Sequence, residues 1–460
     1  MHLVGYRSVV GSRGPAGAAR FLVVMAALGA LTIAGAQWVE ATIELPLSIP
    51  ISMVTNAAGT RLYVTDVNSD SSFVNVIDAT TNTWLKKIPC GTSPSGLCFN
   101  TLGNKLYVVV PDGRITVIDA AADSVIKDIS IGPYPGGLVY HEARNRLYCL
   151  SGGDNTIAVI DASADTIIRR IQLNYSGGYP YLNGAEDKLY VPDAFSFIEV
   201  IDCSADTITA SITLPDVMGL GCLSPQRNRL YCTVGDSQLV VVDCSADTVL
   251  SGTVCVGLWP SAIGYNAGTD KVYCGAYAGQ NVTIVDCATD SALATIPLPS
   301  MPWGICADPI TGNAYCTSRQ SDQVFILDGA GDSVLAVVDV GEVPGTAYWN
   351  PVRHRAYIAN EWGRSISVLR DSPAGVEQTP NSERRTPNVQ PTIVRCVLNL
   401  QSATCNLQSE VVLLDATGRK VLDLVPGLND VSRLAPGVYF FVHSTIANRH
   451  SAVAKVIVTR

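Results

Sequence analysis

A tyrosine set in an apolar strand returns eight times along this chain, at Tyr63, Tyr107, Tyr148, Tyr190, Tyr231, Tyr273, Tyr315 and Tyr357. The successive separations are 44, 41, 42, 41, 42, 42 and 42 residues. About 13 residues after each tyrosine an alternating strand ends in Asp, as in Val76-Ile77-Asp78, Val159-Ile160-Asp161 and Ile326-Leu327-Asp328, whereas the eighth copy ends as Val368-Leu369-Arg370. A fixed period of this length means that one supersecondary unit is stacked against copies of itself, because no single unit can bury its apolar surface alone.

Each unit divides into four short strands. In the third copy they are expected at 137–141, 146–150, 156–161 and 166–173, separated by turns such as Glu142-Ala143-Arg144-Asn145 and Gly152-Gly153-Asp154-Asn155. Leu147 and Cys149 fall on one face and Tyr148 on the other, and both faces are apolar, as in sheets covered on both sides. Four strands per period of about 42 predict an all-β fold, an eight-bladed β-propeller of four-stranded blades. A seven-bladed ring is the alternative if the first or last copy stays outside. The eighth copy stops at Arg370 without a fourth strand, and Thr42-Ile43-Glu44-Leu45-Pro46-Leu47 resembles the fourth strand Thr295-Ile296-Pro297-Leu298. The N-terminal segment is therefore expected to complete the last blade and pin the ring shut.

The repeat, carried by Arg61-Leu62-Tyr63-Val64-Thr65-Asp66 followed by Asn75-Val76-Ile77-Asp78-Ala79-Thr80-Thr81-Asn82-Thr83, resembles the YVTN, or YncE-like, family of exported β-propeller proteins. The resemblance covers about residues 42–370. It implies the fold and says little about function, since a propeller hosts many activities.

Residues 1–36 carry three Arg and no acid, and the apolar run Phe21–Ala36 ends in Ala34-Gly35-Ala36. This pattern reads as a signal peptide cleaved before Gln37, with an uncleaved anchor as the alternative. The mature chain is expected to have no membrane span and to be secreted or held at the cell surface. Residues 37–371, the propeller, hold 19 Lys and Arg against 34 Asp and Glu. A body this acidic repels phosphate backbones, and no local basic patch offsets it, so nucleic acid is not an expected partner.

Residues 372–391 place Pro373, Pro380, Pro387 and Pro391 among polar residues and read as a linker. Strand patterns resume over 392–460, with turns at Asp415-Ala416-Thr417-Gly418 and Ala435-Pro436-Gly437, and suggest a small Ig-like β-sandwich. Leu414-Asp415-Ala416-Thr417-Gly418-Arg419-Lys420-Val421, Leu434-Ala435-Pro436-Gly437-Val438-Tyr439-Phe440 and Lys455-Val456-Ile457-Val458 resemble the C-terminal sorting domains of type IX secretion cargo. That resemblance implies that residues 392–460 engage export machinery; an ordinary accessory sandwich is the alternative.

Fourteen Cys in an exported chain invite a disulfide reading, but most occupy slots where other copies hold Val, Ile, Ala or Gly. Two pairs ten residues apart across a hairpin, Cys222/Cys232 and Cys306/Cys316, are the candidates for bonding. No C-x-x-C pair supports a thiolate metal site. Of 5 His, only His141 and His354 fall in the propeller, both in turns expected on its bottom face. A Ser-His-Asp triad or a histidine metal site therefore lacks material, and no catalytic residue, metal or cofactor is assigned. The recurring D-x-x-x-D, as in Asp161/Asp165 and Asp243/Asp247, repeats in six blades, which argues for a shared structural job in capping turns rather than for calcium.

What breaks the repeat is more informative. The blade-to-blade and second-to-third-strand loops should gather on the top face, and there they carry Tyr134, Tyr179, Trp259, Trp303 and Trp362 beside Asp193 and Glu361. Aromatic platforms next to carboxylates suit sugars or extended peptides. The alternative is that the rings plug the central channel. The sequence thus predicts an exported, surface-displayed propeller acting as a binding or scaffold module for glycan or peptide ligands. A lactonase- or lyase-like enzyme with a top-face cation site, and an architectural surface-layer component, remain as alternatives.

Overall fold

Side chains alternate across a strand, so four adjacent strands with apolar residues at nearly every position make a sheet with two faces to hide. The computed structural model describes residues 38–67, 72–175, 177–250 and 252–370, and beyond them the backbone of strands between 392 and 458. In the described part of the first unit, eight antiparallel sheets follow one another. Their inner strands, among them Pro50–Thr55, Gly96–Asn100, Pro135–His141, Pro260–Asn266 and Pro344–Asn350, contact one another in sequence, and the last contacts the first. The ring therefore has eight blades, not seven. The third blade comprises Pro135–His141, Arg146–Ser151, Thr156–Asp161 and Thr166–Gln172, within two residues of expectation. In the fifth blade the outer strand is broken into Thr248–Val249 and Val254–Cys255, both paired with Gln238–Asp243.

The last blade draws its outer strand from the other end of the chain. Val39–Glu44 runs antiparallel to Ser365–Arg370, with Ile43 opposite Ile366 and Glu44 opposite Ser365. The strand begins three residues earlier than the repeat suggested, and Pro46 and Leu47 turn towards the first blade. Glu40 fixes this closure by accepting two 2.6 Å hydrogen bonds from Arg355 and a 3.0 Å bond from Arg370. Although burial raises its pKa, these two cations hold the carboxyl below its usual value.

There is no single central core. Apolar side chains of facing blades meet in eight wedges, such as Tyr190, Ile198 and Val200 against Leu230, Cys232 and Val240 between blades 4 and 5. All eight repeat tyrosines are fully buried in these wedges. Their hydroxyls call for partners, and those of Tyr63, Tyr107, Tyr148, Tyr190, Tyr231 and Tyr273 bond to groups of the next blade. Tyr107 donates to Asp165 (2.5 Å) and Tyr190 to Asp247 (2.8 Å), while Lys105 and Lys188, two residues earlier, bond to the same carboxylates at 2.6 and 2.8 Å. Arg146 with Tyr148 on Asp206, and Arg229 with Tyr231 on Asp290, repeat the arrangement. Burial pushes these tyrosines far above their ordinary pKa, so they stay neutral donors.

The two acids of D-x-x-x-D thus have different jobs. The first caps its own turn: Asp161 accepts from the Ser163 N–H at 2.8 Å and Asp243 from the Ser245 N–H at 2.8 Å. The second sits in the left-handed region, at φ 54° for Asp165 and 53° for Asp247, and latches the preceding blade. Asp and Asn tolerate that conformation better than other side chains. In the first blade Asn82 takes this left-handed position, and Arg355 turns instead to Glu40 and the Ala79 carbonyl.

The disulfide expectation is corrected. Ser224 pairs with Arg229 across a four-residue turn, so opposed residues lie an odd number apart and Cys222 faces Tyr231, not Cys232. Cys306 likewise faces Tyr315, not Cys316. Residues ten apart point to opposite faces. Cys232 enters the wedge between blades 4 and 5 and Cys222 the next one, while Cys316 and Cys306 are split in the same way. All four are free thiols, and burial pushes their pKa values up, that of Cys316 to about 12.

In the second unit, Thr392–Val394, Asn448–Val458, Gly437–Thr445, Ser409–Leu414 and Lys420–Leu424 form one sheet, and Val397–Leu400 pairs with Gly427–Asp430 in another. The expected signal peptide, 1–36, and linker, 372–391, lie outside the described residues. Among the described residues no helix is long and apolar enough to cross a membrane.

Two outcomes follow for stability. Asp247→Ala strips a carboxylate from both Tyr190 and Lys188, and is expected to cost about 2–4 kcal/mol in denaturant unfolding; Asp243→Ala, which loses only an exposed turn cap, should cost less. Ser hydroxyls and then backbone N–H groups hold Asp161, Asp202 and Asp243 below the ordinary 3.8. A depressed carboxyl stabilises the fold above its unfolded pKa and loses that contribution as pH falls through the folded one. The thermal midpoint should therefore fall as pH is taken below about 4, and replacing these three acids with Asn should flatten the fall.

Candidate functional site

An antiparallel meander sends its loops alternately to two ends. The latching turns occupy the bottom, while the blade-to-blade connections and second-to-third-strand loops occupy the top. Backbone hydrogen bonds tie these top loops together: Gly152 N–H to Tyr134 O at 3.0 Å, Tyr277 N–H to Trp259 O at 2.8 Å and Glu361 N–H to Val343 O at 3.0 Å.

Two of the nominated aromatics are presented by unusual backbone. Tyr134 (φ 51°) and Trp259 (φ 57°) are left-handed, each immediately before a proline that opens an inner strand. Bulky side chains seldom adopt this region, at a cost of order 1 kcal/mol. The conformation turns the rings outward: Tyr134 is 77% and Trp259 57% exposed. Tyr179 and Trp362 are also exposed, so these four rings are not channel plugs.

The nominated residues separate into two sectors. Tyr134, Tyr179 and Asp193 belong to blades 3 and 4. There Tyr175 stacks with Phe197 and tilts against Phe195, with ring centroids 6.0 and 5.4 Å apart. Asp193 is buried, and one carboxylate oxygen accepts from the N–H groups of Phe195 (2.7 Å) and Phe197 (2.8 Å). It shapes the loop and is not presented to a ligand.

Trp259, Trp303, Glu361 and Trp362 belong to blades 5–8, where the repeat is most altered. Four residues after the repeat tyrosine, blades 2, 3 and 5 carry Pro111, Gly152 and Gly235, whereas blades 6, 7 and 8 carry Tyr277, Arg319 and Glu361. At the second inner-strand position, Gly136, Gly219 and Gly345 give way to Trp303 in blade 7. The four substituted side chains touch in series. Tyr277 meets Trp303 edge-on at 6.2 Å, the Arg319 guanidinium lies 4.4 Å from the Trp303 ring centroid, and Arg319 pairs with Glu361. A cation over an indole face is attracted by the ring quadrupole, which fixes the guanidinium in place. Burial raises the Glu361 pKa while Arg319 opposes the rise. Any side chain at Gly345 would collide with the Glu361 carboxylate, so glycine there makes room for it.

Arg319 went unnoticed in the sequence because aromatic rings and acids were sought. Comparing the copies slot by slot would have found it. Histidine scarcity hid another grouping: among the described residues, His141, Asp187 and Cys203 bring potential metal-ligand atoms within 4.8 Å of one another. Asp187 and Cys203 belong to the blade after that of His141. His141 bonds Asp187 at 2.7 Å much as Asn183 bonds Asn228 at 2.7 Å one blade on. Arg144 already engages both Asp187 oxygens, so this trio is a blade-to-blade clasp that a cation could enter only by displacing Arg144.

No protein-family model matches the chain, and no curated protein matches it. Solved structures do. The dihydro-heme d1 dehydrogenase NirN, in complex with DHE, aligns with a TM-score of 0.58 at 12% identity over 70% of this chain and 76% of its own. Hydrazine synthase from Kuenenia stuttgartiensis aligns at 0.52 with 18% identity over 72% of this chain and 97% of its own. The Cps50 (Swd1) β-propeller domain of Myceliophteria thermophila aligns at 0.50 with 13% identity over 63% of this chain and 99% of its own. Identities this low speak to the fold alone, and on that evidence residues 38–370 form an eight-bladed β-propeller.

Proposed function

We propose that this chain is an exported propeller that displays its top face as a binding platform for extended glycans. The observation that carries the reading is the set of exposed rings on that face, two of them held outward by left-handed backbone. Sugar rings present flat C–H faces to aromatic planes, and their hydroxyls bond to charged groups at the edge. The N-terminal signal pattern supports export, and the resemblance of 392–460 to sorting domains supports surface display. Two of the three structural likenesses are named as enzymes and the third is not, so the fold leaves the choice to the site.

The test is binding of the full mature chain to immobilised neutral and acidic oligosaccharides, read also by tryptophan fluorescence. Saturable binding should weaken about 10-fold or more in Trp259→Ala or Trp362→Ala, in keeping with roughly 1–3 kcal/mol for a buried aromatic contact. Unchanged affinity in both variants, or no binding across the panel, would refute the platform.

A further inference from the structure

We infer that the Arg319–Glu361 pair is the polar reading head of this platform, and that it selects a neutral sugar unit by gripping two adjacent hydroxyls. The inference rests on the glycan reading above and adds the chemistry of recognition.

The argument begins with what the repeat would otherwise place there. Pro or Gly fills the same slot in blades 2, 3 and 5, so the fold does not need charge at this position. The pair also joins blades 7 and 8, whereas tyrosine latches at the bottom join blades such as 2 and 3 or 4 and 5. Arg319 is the accessible member, its side chain 29% exposed, while Glu361, 12% exposed, is largely buried behind it. Trp303 beneath Arg319 and the missing Cβ of Gly345 beside Glu361 hold the two groups in fixed positions. The next residue, Trp362, is 71% exposed and offers an apolar face.

A guanidinium can only donate hydrogen bonds, and an ionised carboxylate can only accept them. A vicinal diol complements that combination, since one hydroxyl accepts from Arg319 while its neighbour donates to Glu361. A carboxylate ligand does not, because Glu361 already neutralises the arginine and repels a second anion. The acidic balance of the surrounding propeller, 19 basic against 34 acidic residues, disfavours uronates further. Arg319 and Glu361 are therefore the ligand-contacting residues, and Trp303 is a positioning residue acting through Arg319.

The experiment titrates the full mature chain with mannohexaose, cellohexaose, hexagalacturonate and an acidic peptide. Arg319→Lys and Glu361→Gln keep side-chain size and are checked by thermal unfolding. Each should weaken binding of the neutral hexasaccharide by at least 10-fold without lowering the unfolding midpoint. A monosaccharide glycoside that competes with the hexasaccharide should lose competition when one of its vicinal hydroxyls is removed, and that loss should shrink in Glu361→Gln. A purely structural pair would not produce this coupling. Preference for hexagalacturonate or the peptide, or wild-type affinity in both folded variants, would overturn the reading head. If Trp362→Ala still abolished binding in that case, the platform itself would stand. No binding of any probe would sink both.

Discussion

A blade has two apolar faces and can hide both only between two neighbours, so the structure depends on the wedge between one blade and the next. Within that wedge the fully buried tyrosine supplies apolar area and also carries one hydroxyl that has to be satisfied. For the tyrosines of blades 2 to 5 the next blade answers with an aspartate held in a left-handed turn, and a Lys or Arg two residues before the tyrosine shares it. A hydrophobic contact, which has no direction, thereby becomes a contact with a fixed angle and register. Repeated around the ring, that angle determines where the loops of each blade emerge.

The architecture was legible because it is written in local periodicity: tyrosines about 42 residues apart, strands that end in Asp, and a last copy lacking an outer strand while a matching segment waits at the N-terminus. What escaped was everything that depends on a partner in another blade. The second acid of D-x-x-x-D looked like a companion to the first, yet Asp165 serves Tyr107 and Asp247 serves Tyr190. The cysteine pairs failed for a different reason. A spacing of ten looks right for a hairpin, but the parity set by a four-residue turn sends Cys222 and Cys232 into different wedges. The site was half visible: the rings stand out as exceptions to the pattern, while Arg319 stands out only beside the Pro or Gly of the same slot in blades 2, 3 and 5.

The two ends of the propeller divide the labour. The bottom repeats through blades 2 to 6, whose turn aspartates each bond the tyrosine of the blade before, and departs from the pattern at Asn82. The top is tied by backbone N–H and C=O groups together with side chains that differ from blade to blade, such as Asp66, Ser151 and Asp322. That variation is uneven. Blades 2, 3 and 5 keep small residues at the slot after the second strand, and blades 6 to 8 gather Tyr277, Trp303, Arg319 and Glu361 into one connected series. Asymmetry in this ring of near-identical units thus appears both on the top face and at the closure, where Asn82 stands in place of the latch aspartate.

The seam between Val39–Glu44 and Ser365–Arg370 also imposes an order in time. Among the strands of the propeller, the outer edge of the last blade leaves the ribosome first, and its partner is almost the last part of the propeller to be made. Seven blades can stack while that strand trails as an unpaired edge, and Glu40 meets Arg355 and Arg370 only at the end. The ring cannot lock from a partial chain, so a product truncated before Ser365–Arg370 is left with an unpaired edge at Val39–Glu44.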